Sequence, residues 1–146
     1  MDDKQTAMLV LMNTNRFTNL LKLVNNEKFK NQKTLTEKQF FALSRMMTYD
    51  KIELKNLSRD LFVSTSSLCI LLNKLVEKGY VYREEDTRDR RNTFYGITEE
   101  GRRVLNEEID EILEIMSAKF SLLEEEELNR LSTAMDEVKD IIAKLY

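Results

Sequence analysis

Apolar residues recur at steps of three and four along most of this chain, the spacing that places side chains on one face of an α-helix. Met8, Leu11, Met12, Phe17, Leu20, Leu21 and Val24 predict a first helix over about residues 3–26, followed by a polar loop, Asn25 to Lys33, with a broken helical turn near Phe29. Thr36 stands where an N-cap belongs, with Gln39 three residues on to complete a capping box, and Phe40, Leu43, Met46 and Met47 form the stripe of a second helix. Tyr49 to Glu53 reads as a turn with a very short strand. Leu54, Leu57 and Leu61 mark a short third helix, and Ser64 caps a fourth with Leu68, Leu71, Leu72 and Leu75 inward. Gly79 stops it.

The pattern then changes period. Val81 to Glu85 and Asn92 to Ile97 are rich in aromatic and β-branched residues and flank a charged loop, which predicts a β-hairpin. Thr98 caps a long helix carrying Leu105, Ile109, Ile112, Met116 and Phe120 and ending near Phe120. In a last helix Leu128, Leu131, Met135, Val138, Ile142 and Leu145 step by three and four in alternation, a heptad seam that needs a helical surface to cover it.

Composition narrows the class. With 146 residues, no proline and three glycines, the chain is expected to be mainly helical and large enough for a real core. The longest apolar run, Ala7 to Met12, falls far short of the roughly 20 residues of a membrane span, and no leader pattern is visible, so the expectation is a cytoplasmic protein with no membrane partner. No histidine and a single cysteine, Cys69, argue against a metal centre, an intramolecular disulfide or histidine-based catalysis, so neither a cofactor nor enzyme activity is expected. The net charge of −3 is unevenly spread: residues 1–35 carry six basic against three acidic groups, residues 36–97 eleven against nine, and residues 98–146 six against fourteen. A phosphate-bearing partner is therefore expected on the first two-thirds.

A short helix, a turn and a second helix followed by a hairpin is the layout of a winged DNA-binding module. Opposite its leucine stripe the fourth helix offers Thr65, Ser66, Ser67, Cys69, Ile70, Asn73 and Lys74. Hydroxyls bond phosphate or either base type, Asn73 suits adenine, Lys74 suits guanine or phosphate, and Ile70 can pack on a thymine methyl. Ser64 and its neighbours can equally serve as helix caps. In the hairpin loop, Asp89 stands two residues before Arg91 and can hold a guanidinium in a two-bond fork; Arg88 and Arg90 add positive charge. Cys69 is open to oxidation but has no second cysteine to resolve it, and it also fits as a small packed residue. Methionine-rich helix junctions are adaptable, so Met12, Phe40 and Met47, with Arg16 nearby to meet a carboxylate, are a candidate ligand crevice as well as default core.

Leu35 to Leu43, Leu57 to Leu68, Leu75 to Val81, Asp86-Thr-Arg-Asp-Arg-Arg91 and Ile97-Thr-Glu-Glu-Gly101, in this order and spacing, resemble the MarR family of bacterial transcriptional regulators. The likeness is close over residues 35–101 and extends to the flanking helices only in pattern. It implies a two-fold dimer in which the first and last helices of both chains intertwine, with small aromatic acids or oxidants relieving repression. By the family pattern Arg91 enters the minor groove, Asp89 braces it, and Arg88 and Arg90 contact phosphates. Ile70 departs from the polar or basic residue more usual there, and the first helix lacks the cysteine of peroxide-sensing members.

The expected architecture is thus mainly α (α+β): a winged helix-turn-helix over residues 35–98, and a helical dimerisation domain from residues 1–34 and 99–146. Its contacts are expected through Met8, Leu11, Leu128, Leu131, Met135, Val138, Ile142 and Leu145. The expected function is a ligand-responsive repressor that binds a pseudo-palindromic double-stranded operator as a homodimer and is released by a small aromatic carboxylate or another small effector. Two alternatives stay open: a winged-helix protein-interaction module without DNA binding, and a cysteine-based redox-responsive regulator.

Overall fold

The computed structural model describes residues 1–30 and 34–145, without the side chain of Phe29. The elements run α1 (Asp3–Phe29), α2 (Glu37–Met46), β1 (Ile52–Glu53), α3 (Leu54–Asp60), α4 (Thr65–Glu77), β2 (Val81–Glu85), β3 (Thr93–Ile97), α5 (Glu99–Phe120) and α6 (Glu125–Ile142). The chain divides into two compact units, Met1–Ile112 and Leu113–Tyr146.

In the first unit the predicted caps form. Thr36 accepts from the Gln39 backbone N–H at 3.2 Å and the Gln39 side chain accepts from the Thr36 N–H at 3.0 Å, satisfying two N–H groups that the first turn of α2 leaves open. Gly79 ends α4 at φ +78°, a conformation that a Cβ disfavours, and its own N–H donates to Val76 while the Tyr80 N–H donates to Leu75. The turn between α3 and α4 uses the same left-handed region without a glycine: Phe62 has φ +54°.

The leucine stripes of α3 and α4 meet those of α2 and α5 in one core, where Leu43, Leu57, Leu68, Leu72, Leu75 and Leu105 are fully buried together with Tyr95 of β3. The sheet is three-stranded and antiparallel, with β3 in the middle: Ile52 pairs with Tyr95 on one side, and Val81 with Ile97 and Glu85 with Thr93 on the other. Thr98 joins the hairpin to α5. Its N–H donates to the Tyr80 carbonyl at 3.0 Å, its hydroxyl donates to the Gly79 carbonyl, and the same oxygen accepts from Gly101 N–H. Gly101 has no room for a side chain, since a Cβ there would lie 2.1 Å from the Tyr80 carbonyl oxygen.

Three boundaries differ from the sequence expectation. α1 continues to Phe29 and covers most of the predicted loop at 25–33, because Val24 is fully buried and the Lys28 ammonium is buried against Glu108 of α5; residues 31–33 lie outside the described residues. β3 starts at Thr93, since Asn92 is used by the loop, donating its N–H to Asp89 and accepting from Asp86. α6 ends at Ile142, so Leu145 lies past the helix rather than on its seam.

In the second unit α6 opens with a Glu124–Glu127 capping box, and three glutamates occupy its first turn, where the helix dipole favours negative charge. None of its residues is buried.

Candidate nucleic-acid interface

The buried stripe of α4 fixes what the helix shows to solvent. With Leu68, Leu72 and Leu75 held in the core, Ser66, Ile70, Asn73 and Lys74 are exposed along the opposite face, spaced at one helical turn. The hydroxyls of the first turn are interlinked. Ser64 accepts from the Ser67 N–H at 3.2 Å and donates to the Ser67 hydroxyl at 2.9 Å, with the Ser66 hydroxyl 3.3 Å away; Thr65 is exposed beside them. Ser64 is thus a helix cap, while Ser66, Ser67 and Thr65 keep hydrogen-bonding capacity toward solvent. Ile70 is 62% exposed, an apolar group that only a contacting partner would cover. The Asn73 amide and the Tyr95 hydroxyl each lie 3.8 Å from the Cys69 sulfur, which is half-buried. Burial raises the Tyr95 hydroxyl above the ordinary tyrosine pKa.

The loop between β2 and β3 is tied by its own aspartates. Asp86 accepts from the Arg88 N–H at 2.9 Å and its N–H donates to the Asn92 carbonyl. Asp89 accepts from the Arg91 N–H, and its two carboxylate oxygens take Nε at 3.0 Å and a terminal guanidinium nitrogen at 3.1 Å. This is the predicted fork, with Arg91's side chain still 90% exposed. Hydrogen bonds from Arg91 hold the Asp89 carboxyl below the usual aspartate range, the side-chain bonds contributing most. Arg88 and Arg90 are exposed and take part in no ion pair among the described residues. A guanidinium clamped at its base and free at its outer edge is prepared to meet an anionic surface without first ordering itself.

The remaining predicted residues are placed as follows. Met12 and Arg16 are exposed on α1, whereas Phe40 is in the core and Met47 packs half-buried against it. On α1, Met8 and Leu11 are exposed; on α6, Leu128, Met135, Val138 and Ile142 are exposed, Leu131 is half-buried, and Leu145 is exposed beyond the helix end.

Two features escaped the sequence reading. Lys28, with Glu108 and at 3.7 Å Glu111, forms a buried ion pair between α1 and α5, its ammonium 5.8 Å from the Phe40 ring. The other is Phe62, which is 96% exposed. Nothing local marks the first, since its partners are 80 residues apart; for the second, the missing glycine in the turn was the available signal.

Residues 39–116 match the family model described as a winged helix DNA-binding domain. Over 67 residues the chain is 37% identical to the HTH-type transcriptional regulator SarZ of Staphylococcus haemolyticus, a match that covers 46% of each. The chain therefore spans about half the length of that curated relative. Its fold is that of a MarR family protein from Bacillus stearothermophilus, at 19% identity with a TM-score of 0.78 over 98% of this chain and 99% of that one. It also matches FabT of Streptococcus pneumoniae, solved in complex with DNA, at 19% identity and a TM-score of 0.65 over 99% of this chain and all of the other.

Proposed function

This chain belongs to the family of winged helix DNA-binding domains, and from that premise we propose that it is a transcriptional regulator that binds a specific double-stranded operator as a homodimer. The observation that carries the reading is the Asp89–Arg91 fork on the hairpin loop, held by three hydrogen bonds with its guanidinium outward. In the proposal Ser66, Ser67, Ile70, Asn73 and Lys74 of α4 read base edges in the major groove, Arg91 enters the adjacent minor groove, and Arg88 and Arg90 neutralise phosphates.

The apolar faces of α1 and α6 support the homodimer. Met8, Leu11, Leu128, Met135 and Val138 are each at least 41% exposed in the single chain, which is costly unless a second copy covers them. Two-fold pairing would set two α4 helices about 34 Å apart, one turn of duplex, and so call for a pseudo-palindromic site. Repression relieved by a small effector completes the proposal.

The test is to incubate purified protein with sheared genomic DNA, sequence what is retained and footprint the strongest fragment. The expected result is an inverted repeat protected over two successive major grooves. Recovery of fragments with no common sequence would refute specific binding. Leu131→Asp with Val138→Asp should give monomers without operator affinity; a double variant that still sediments as a dimer would place the interface elsewhere.

A further inference from the structure

The hairpin that carries the Asp89–Arg91 fork has little backbone pairing to the rest of the sheet: β1 contributes only Ile52, opposite Tyr95, and Glu53, opposite Phe94. On the face of the sheet turned away from the core, two side-chain links add to it. The Tyr82 hydroxyl of β2 donates to the carbonyl of Asp50, just ahead of β1, at 3.1 Å. The Lys51 ammonium meets the Glu84 carboxylate of β2 at 3.1 Å and stands 5.2 Å from the centre of the Phe94 ring. Both links pass over β3, the central strand. The Tyr82 ring crosses at its register partner Gly96, which is buried and where a Cβ would collide with the ring at Cε1, Cζ and the hydroxyl oxygen. A glycine weakens a strand interior, and here it marks the close approach of that ring.

The Lys51–Glu84 pair is exposed and contributes little by itself. The Tyr82 ring turns only about χ1 and χ2 and ends on a main-chain acceptor, so it is the stiffer of the two links. We propose that Tyr82 is a positioning residue for DNA binding: lying across Gly96 and bonded to Asp50, it fixes the swing of the hairpin against the helix-turn-helix, so that Arg91 stands ready for the minor groove when α4 occupies the major groove. The inference rests on the DNA-binding reading above. With this strap in place the hairpin is restrained before DNA arrives. Without it, the hairpin must be ordered on binding, which opposes association and weakens only the contacts made through the loop. Tyr82 thus acts through Arg91 and not by a contact of its own.

The selected operator is titrated at one fixed salt concentration with the parent, Tyr82→Phe and Gly96→Ala, each also in an Arg91→Ala background. Tyr82→Phe keeps the ring and removes only the bond to Asp50. Gly96→Ala leaves Tyr82 in place, supplies a better strand residue and pushes the ring aside. Each should raise Kd about threefold while Arg91 is present and leave it essentially unchanged in the Arg91→Ala background. A general loss of stability would not depend on Arg91 in this way. Equal losses in the two backgrounds, or parent affinity in both variants, would overturn the positioning role. In a second arm, backbone amide NMR relaxation is measured on the DNA-free proteins. Residues 86–92 should move with larger amplitude in both variants than in the parent, while the amides of the β2–β3 ladder stay protected from exchange; unchanged loop motion in both would overturn the strap. A protein that shows these loop motions but binds no duplex would contradict the DNA reading while leaving the strap intact.

Discussion

Gly101→Ala tests whether the hairpin is locked to α5 by a backbone contact. An added Cβ would lie 2.1 Å from the Tyr80 carbonyl oxygen and 2.9 Å from both the Tyr80 carbonyl carbon and Ile97 Cγ1. Two of these three atoms are main chain, so no rotamer change relieves the overlap, and Tyr80 must move by about 1 Å to restore ordinary contact. That same carbonyl accepts from the Thr98 N–H at 3.0 Å. Overpacking of this kind costs about 1–3 kcal/mol, and a weakened hydrogen bond adds about 1 kcal/mol. Against this, alanine gains up to about 1 kcal/mol over glycine in a helix. The net expectation is a loss of about 1–3 kcal/mol. Urea unfolding followed by far-UV circular dichroism, at equal protein concentration, should show the midpoint falling by about 1 M, taking an m-value of about 2 kcal/mol/M. A midpoint equal to or above the parent's would refute the close-approach argument.

Three further outcomes are expected. Lys28→Met removes the ammonium paired with the Glu108 carboxylate, whose side chain is 4% exposed, and should cost about 3 kcal/mol, much of it regained in Lys28→Met with Glu108→Leu; if the single and double variants unfold at the same midpoint, the pair is not coupled. Asp89 should titrate below the ordinary aspartate value because Arg91 bonds its charged form; since the folded pKa is depressed, the fork's contribution is present above the unfolded-state value and disappears as pH falls through the folded one. A carboxyl NMR midpoint at or above the ordinary value, or one unchanged in Arg91→Ala, would contradict this. Phe62→Asn removes no buried contact and suits φ +54° better, so thermal stability should rise by up to about 1 kcal/mol, and a loss of more than that would show that the Phe62 ring has an unrecognised structural partner.

Elements fixed by near neighbours were legible in the sequence. The Thr36–Gln39 box, the Ser64 and Thr98 caps and the Gly79 stop each act within a helical turn or across a single junction, and the leucine stripes of α3 and α4 determine which α4 residues face outward. The Asp89–Arg91 fork was readable for the same reason, its partners being two residues apart. What was missed depends on contacts distant in sequence. The last turn of α1 looks like a polar loop, and Val24 burial and the Lys28–Glu108 pair help to hold it as helix. Leu145 continues the heptad arithmetic although α6 has already ended.

The claim that α4 and the hairpin loop together bind duplex DNA is tested most directly by titrating the selected operator, at one fixed salt concentration, with the parent protein and with Arg91→Ala. The account predicts that the variant stays a folded dimer and loses about 1–3 kcal/mol of binding, roughly 5- to 150-fold in Kd. Equal affinity of the two proteins for the operator would contradict it.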